Sequence, residues 1–213
     1  MTTGLITITD PRSPVAEAYR RLRTNLEFAS LDSSLRTLLV TSAGPDEGKS
    51  TTLSNLAVSI AQAGRRVILV DGDLRHPRLH ELFGLDNRQG LTTVVSQASG
   101  DIPLQESGVN GLRVLAAGPL PDIPADLIAS PAVEALIATL REQADIVLFD
   151  APPVVAVTDA AVLASKVDGV LLVINAGRTR REYAQRAKAL LAQVHARVVG
   201  AVLTNAPHES ALL

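Results

Sequence analysis

Cysteine and tryptophan are both absent from the 213 residues. Without cysteine the chain can form no disulfide and no thiolate metal site, a composition compatible with the cytoplasm. Aromatic residues are scarce too, at 2% against 46% hydrophobic residues in all. The core therefore has to come from Ala, Val, Leu and Ile, and aliphatic strands of that kind suit a parallel sheet covered on both faces. No apolar run approaches the roughly 20 residues that cross a bilayer. The first residues, Met1-Thr-Thr-Gly-Leu5, lack the basic-then-apolar order of a secretory signal. A basic excess is missing as well: the formal net charge is −2, which argues against nucleic acid as a partner. His76, His80, His195 and His208 are scattered, without metal-ligand spacing, and no Ser–His–Asp arrangement can be argued. The chain has no internal repeat and no low-complexity stretch, and its length suits one α/β domain with a full core.

What is present centres on residues 40–52. An aliphatic run, Leu38 to Val40, leads into Ala43-Gly-Pro-Asp-Glu-Gly48-Lys49-Ser50, and Leu53, Leu56, Ala57 and Ile60 follow at helical spacing. Strand, loop and helix in that order are the setting of a phosphate-binding loop. Backbone N–H groups of residues 44 to 50 are expected to line one concavity for phosphate oxygens. The helix beginning near Lys49 adds its positive end. Lys49 is expected to reach the β- and γ-phosphates, and Ser50 to offer its hydroxyl to Mg²⁺. A bare Gly-Lys-Ser is a weak signal, and the first Gly of the full pattern is replaced by Ala43.

Two later stretches strengthen it. Ile68-Leu-Val70 runs into Asp71-Gly-Asp73-Leu-Arg75, and Ile146-Val-Leu-Phe149 runs into Asp150-Ala-Pro-Pro153. Each delivers carboxylates to the carboxyl end of a strand, where ligands bind in open α/β sheets. A few carboxylates beside phosphate oxygens are what Mg²⁺ takes. The plainer reading is a pair of polar turns, with Asp73 capping a helix.

Around these boxes the chain reads as alternating elements. Ile6 to Ile8 is a brief strand ended by Asp10-Pro11. Ser13-Pro14 caps a helix to about Phe28, with Val15, Tyr19, Leu22 and Leu26 as its apolar stripe. Its other side carries Glu17, Arg20, Arg21 and Arg23, which as plain surface would pair at i, i+3 and i, i+4. Further helices are expected at 76–83, 90–96, 131–141, 159–166 and 180–194, and strands at 112–116, 170–175 and 198–204. Residues 118–124 form a proline-rich loop.

Taken in order, the three boxes resemble the Walker A, Walker A′ and Walker B signatures of the bacterial tyrosine kinases of capsular and exopolysaccharide synthesis. The A′ pattern, three aliphatics and then Asp-x-Asp-x-Arg, falls on Ile68, Leu69, Val70, Asp71, Asp73 and Arg75. The B pattern falls on Val147, Leu148, Phe149, Asp150 and Pro153. That family tolerates Ala at the first Walker A position. Glu17, Arg20 and Arg23 resemble its Glu-x-x-Arg-x-x-Arg oligomerisation motif. The resemblance runs from about Leu5 to Asn205.

It implies a P-loop NTPase fold, a doubly wound and mainly parallel sheet with helices on both faces. It implies one domain over 1–213: an arm and oligomerisation helix to residue 35, a nucleotide-binding core over 36–205, and a tail. The implied activity is ATP-dependent, autokinase-type protein-tyrosine kinase, regulating capsular and exopolysaccharide synthesis and export. ATP would lie on Gly44, Pro45, Asp46, Glu47, Gly48, Lys49, Ser50 and Thr51, with its purine near Thr204 and Asn205. Mg²⁺ would be held by Ser50, Asp71 and Asp150. Lys49, Asp71, Asp73, Arg75 and Asp150 would carry catalysis. Implied partners are a transmembrane activator of the polysaccharide co-polymerase type, a tyrosine substrate and further copies of the chain. The implied place is the cytoplasm, at the inner face of the membrane through that partner.

One departure is plain. The family usually ends in a tyrosine cluster, whereas this sequence ends His208-Glu-Ser-Ala-Leu-Leu213, and Tyr19 and Tyr183 are its only tyrosines. Two other functions compete. A MinD/ParA-like ATPase switch carries an extra lysine early in the loop, where Gly44 stands here, and MinD-type proteins end in a basic amphipathic helix that this tail lacks. A nucleotide-binding regulator without kinase activity draws only on the missing tyrosine cluster.

Overall fold

The computed structural model describes residues 4–29, 34–97 and 101–206. The expected tail, 206–213, lies outside these residues apart from Ala206.

The aliphatic runs form strands β1 (Thr37–Ser42), β2 (Val67–Asp71), β4 (Leu112–Leu115), β5 (Ile146–Asp150), β6 (Gly169–Asn175) and β7 (Val198–Thr204). With the short β3 (Gln105–Glu106) they make one sheet, in the order β3-β4-β2-β5-β1-β6-β7. Every pairing is parallel except β3 with β4. Successive side chains of a strand point to opposite faces, so each run feeds two cores. Leu39, Ile68, Val70, Val147 and Phe149 pack on one face, while Leu38, Val40, Val67, Leu69 and Leu148 pack on the other.

Helices cover both faces. On one lie α5 (Leu91–Gln97), α6 (Pro124–Ala129), α7 (Pro131–Gln143), α8 (Asp159–Ala164) and α9 (Arg181–Gln193). The other face is covered by α2 (Pro14–Ala29), α3 (Lys49–Gln62) and α4 (Leu79–Phe83). The doubly wound arrangement expected from the sequence is thus present. Helix α3 is apolar or small nearly all round, and eleven of its residues are buried. It sits between the sheet and α2.

Ser13 caps α2 as expected, its hydroxyl accepting the N–H of Ala16 at 3.1 Å, with Pro14 in the first turn. Two readings need correction. Ile6 to Ile8 is not a strand but part of the one-turn helix α1 (Ile6–Thr9). Its backbone finds partners within the turn, Thr9 N–H donating to Leu5 at 3.0 Å, and in the side chain of Asn55, which accepts Thr7 N–H at 3.1 Å. Tertiary bonding has overridden the strand preference of Ile and Thr. The second correction concerns the apolar stripes. Val15, expected on the stripe of α2, is 53% exposed, and Tyr183 on α9 is 48% exposed. Both lie in the first turn of their helix.

Candidate active site

The order β2-β5-β1 decides the site. It inserts β5 between the strand that ends in Asp71 and the strand that leads into the phosphate loop. Asp71 and Asp150 are register partners, and Val40 pairs with Asp150 on the other side. All three boxes therefore meet at one carboxyl edge. Gly72 lets the strand ends approach this closely. Its N–H donates to the Asp150 carbonyl at 2.9 Å, and a Cβ there would stand 2.7 Å from that oxygen.

The loop closes into α3 through Gly48, whose φ of +85° lies in the left-handed region that favours glycine. Lys49 and Ser50 then open the helix. The Lys49 ammonium lies 2.8 Å from Asp73 Oδ2 and 3.5 Å from Asp150 Oδ2. Ser50 Oγ donates to the same Asp150 oxygen at 2.5 Å.

Asp71 and Asp73 also hold the turn that the plainer reading foresaw, but Asp71, not Asp73, stands at the helix. Asp71 Oδ2 accepts the N–H groups of Arg78 and Leu79 at 3.0 and 2.9 Å, at the start of α4. Asp73 Oδ1 accepts those of Arg75 and His76. Asp73 thus divides its oxygens between this turn and Lys49, whereas both oxygens of Asp71 accept backbone donors, Oδ1 taking the Asp73 N–H at 3.3 Å.

Asp150 Oδ1 is different: it is buried and has no hydrogen-bond partner among the described residues. An orphaned carboxylate oxygen in such a place is costly, and a hard cation would relieve it. The donor set of Asp71, Asp150 and Ser50, all oxygen, fits Mg²⁺.

Electrostatics agree. Burial pushes the Asp71 carboxyl up to about 8, and the nearby Asp150 charge adds to the shift. Burial also raises Asp150, against the pull of Lys49 and Ser50. Burial works to lower Lys49, but Asp150 and Asp73 outweigh it and hold the ammonium above its ordinary value. The edge has more negative charge than one lysine can balance.

Arg75 is placed elsewhere than on the carboxylates of this edge. Its guanidinium forks onto Asp159 of α8 at 2.8 and 3.1 Å. Asp159 is a buried partner that sequence reasoning took only for part of a helix.

Glu47 holds a second surprise. Its carboxylate is buried and accepts Ala43 N–H at 3.2 Å, Gly44 N–H at 3.0 Å and the Thr179 hydroxyl at 2.6 Å. Gly44 N–H is therefore committed to Glu47, and Pro45 has none, so the loop's free donors begin at Asp46. Thr204 adds its hydroxyl to the Glu47 carbonyl at 2.8 Å. Nothing in the sequence pairs Glu47 with Thr179, because 132 positions separate them.

Thr51 and Asn205, with Asp46 to Gly48 and Thr204, line a cavity of about 610 Å³. Its opposite wall is Val15, Ala18, Tyr19 and Leu22 of α2. On the outer side of that helix Arg20 pairs with Glu17 at 2.7 Å, as a plain surface would. Arg23 instead turns inward and donates to the Ser59 carbonyl at 2.9 Å.

Fold and site together define a P-loop NTPase, and residues 35–208 match the ParA family model described as NUBPL iron-transfer P-loop NTPase. Among curated proteins, the chain is 43% identical over 206 residues to tyrosine-protein kinase YwqD of Bacillus subtilis, covering 96% of this chain and 87% of that one. It is 41% identical over 167 residues to the putative tyrosine-protein kinase EpsB of Ralstonia nicotianae, covering 76% of this chain but 22% of that one. Among solved structures, the kinase domain of Escherichia coli tyrosine kinase ETK superposes with a TM-score of 0.93 at 30% identity, covering 99% of this chain and 83% of that one. The chain belongs to the bacterial tyrosine-protein kinases, the family its three boxes resemble.

Proposed function

We propose that residues 1–213 act as one ATP-dependent, autokinase-type tyrosine kinase unit that regulates capsular and exopolysaccharide synthesis and export. The observation that carries this is the meeting of Asp71 and Asp150, as register partners, with Lys49 and Ser50 at one sheet edge. The N–H groups of Asp46 to Ser50 and the Lys49 ammonium bind and align the triphosphate. Its purine lies in the cavity beside Thr51 and Asn205. Ser50, Asp71 and Asp150 hold Mg²⁺, which supplies neutralisation of the phosphate charge when bound. Asp73 keeps Lys49 aimed at the edge and, with Asp71, orients the tyrosine hydroxyl or takes its proton. Arg75 locks the Asp71–Asp73 turn onto α8 through Asp159, which keeps both carboxylates in place.

The activator in this proposal is a transmembrane protein of the polysaccharide co-polymerase type. Among the described residues no helix is long and apolar enough to cross a membrane. The far longer EpsB chain supports a partner joined to such a domain elsewhere. The kinase then works from the cytoplasm, at the inner face of the membrane. Helix α2, through Glu17, Arg20 and Arg23, carries self-association.

The test is a phosphotyrosine assay with Mg-ATP on wild type, Lys49→Met and Asp150→Asn. Both variants are expected to lose transfer by at least about a hundredfold, because charge stabilisation dominates such reactions, with circular dichroism unchanged. Transfer at the wild-type rate in Lys49→Met would overturn the assignment. ATP binding without any phosphotyrosine in wild type would favour a nucleotide-binding regulator instead.

A further inference from the structure

We propose that Tyr183 is a phosphoryl acceptor of this kinase, labelled by a second copy of the chain; this rests on the kinase reading above. The sequence has two tyrosines. Tyr19 is half-buried, and its phenol hydrogen-bonds the Thr52 side chain. Tyr183 is 48% exposed, and its hydroxyl bonds no described residue.

Its place on α9 favours transfer. It is the third residue of the helix, in the first turn, where its N–H donates to Arg180 at 3.0 Å. Helix ends fray more readily than helix centres, so this turn can open to present the ring. Around it stand Arg178, Arg180, Arg181 and Arg186, all exposed and none in an ion pair with a described carboxylate. Such a cationic segment is complementary to an edge where Asp71, Asp73 and Asp150 gather around Lys49.

The ring also lines a cavity of about 420 Å³, together with Pro45, Asp46, Arg178, Thr179 and Arg180. A phosphate on Tyr183 would meet Arg178 and Arg180 there, at the positive end of α9.

The topology calls for a second copy. Tyr183 follows β6, whereas Asp71 and Asp150 end β2 and β5 on the other side of β1. The ring lines its cavity together with Pro45 and Asp46 of the phosphate loop, whereas the cavity beside Thr51 and Asn205 is a separate one. In the transfer, the Tyr183 oxygen forms a bond to the γ-phosphorus of ATP. The bond from that phosphorus to the β–γ bridging oxygen breaks, ADP leaves, and the phenolic proton passes to the Asp71–Asp73 carboxylates of the acting copy and from there to solvent.

The experiment incubates the protein with Mg-ATP, with and without a lysine–tyrosine copolymer, and maps phosphate by peptide mass spectrometry. Wild type is expected to label both the copolymer and Tyr183. Tyr183→Phe should keep copolymer labelling and lose at least nine-tenths of the label on itself. Lys49→Met should acquire label at Tyr183 only when wild type is added. Copolymer labelling with Tyr183 bare, or self-label on Tyr19 alone, overturns the proposal and leaves the kinase reading standing. Label at Tyr183 of wild type but none on Lys49→Met in the mixture overturns transfer between copies. Absence of label everywhere overturns the kinase reading and the proposal with it.

Discussion

Glu47→Ala removes the carboxylate that closes the phosphate loop on itself. Three donors lose their acceptor: Ala43 N–H, Gly44 N–H and the Thr179 hydroxyl. Ala43 is fully buried, so its N–H bears the whole cost of an unmet donor, about 1–3 kcal/mol. Gly44 and Thr179 are only partly buried, and water can replace much of what they lose. Together these give about 2–3 kcal/mol, a sizeable share of the 5–15 kcal/mol that holds a typical domain together. Glu47→Gln keeps one acceptor oxygen but turns an amide N–H₂ toward a backbone donor, so a smaller loss is expected. Equilibrium urea unfolding of the nucleotide-free protein measures both, provided the slope with denaturant is unchanged. A double-mutant cycle with Thr179→Val isolates the bond between loop and β6–α9 turn, with a coupling of about 1 kcal/mol expected. A Glu47→Ala protein within about 0.5 kcal/mol of wild type, which is the level of an ordinary surface change, would refute the reasoning.

Three further outcomes are expected. Gly72→Ala puts a Cβ 2.7 Å from the Asp150 carbonyl, so the strand ends must part; a loss of about 1–3 kcal/mol in urea unfolding and at least tenfold in turnover should follow. The raised Asp71 value predicts a pH dependence: the folded state holds a proton that the unfolded state releases near the ordinary 3.8, so this stabilisation is full below that value and is lost as pH rises through about 8. Between pH 5 and 8 the nucleotide-free, Mg²⁺-free wild type should lose more melting temperature than Asp71→Asn, and parallel curves would contradict the assignment. Replacing Glu17, Arg20 and Arg23 together by Ala should lower the assembled mass in light scattering with activator bound, whereas an unchanged mass would leave the Glu17–Arg20 pair as plain surface, worth under about 1 kcal/mol.

Much of this protein was legible because its signals are local. The aliphatic runs before Ala43, Asp71 and Asp150 are strands because Val, Ile and Leu in short blocks bounded by Gly, Pro and Asp leave few alternatives. Gly48 followed by Lys49 marked the helix start, expected near Lys49 and found there. Where local preference and tertiary partners disagreed, the reading failed: Ile6 to Ile8 favours a strand by composition, yet Asn55 was waiting for Thr7. The apolar stripe of α2 was correctly periodic, but periodicity does not say which of its positions find a packing partner, and Val15 in the first turn is 53% exposed.

The sequence by itself determined the strands, the phosphate loop and the residue types that could serve a nucleotide and a metal, since these depend on neighbours a few positions apart. Only the tertiary structure decided which of them meet. Inserting β5 between β1 and β2 set Asp150 beside Asp71, and it buried both beside Lys49, which raised their affinity for protons. It also joined Glu47 to Thr179 and Arg75 to Asp159 across 132 and 84 positions. Contacts of that range rest on strand order and on packing across the sheet, and no short window of sequence records either.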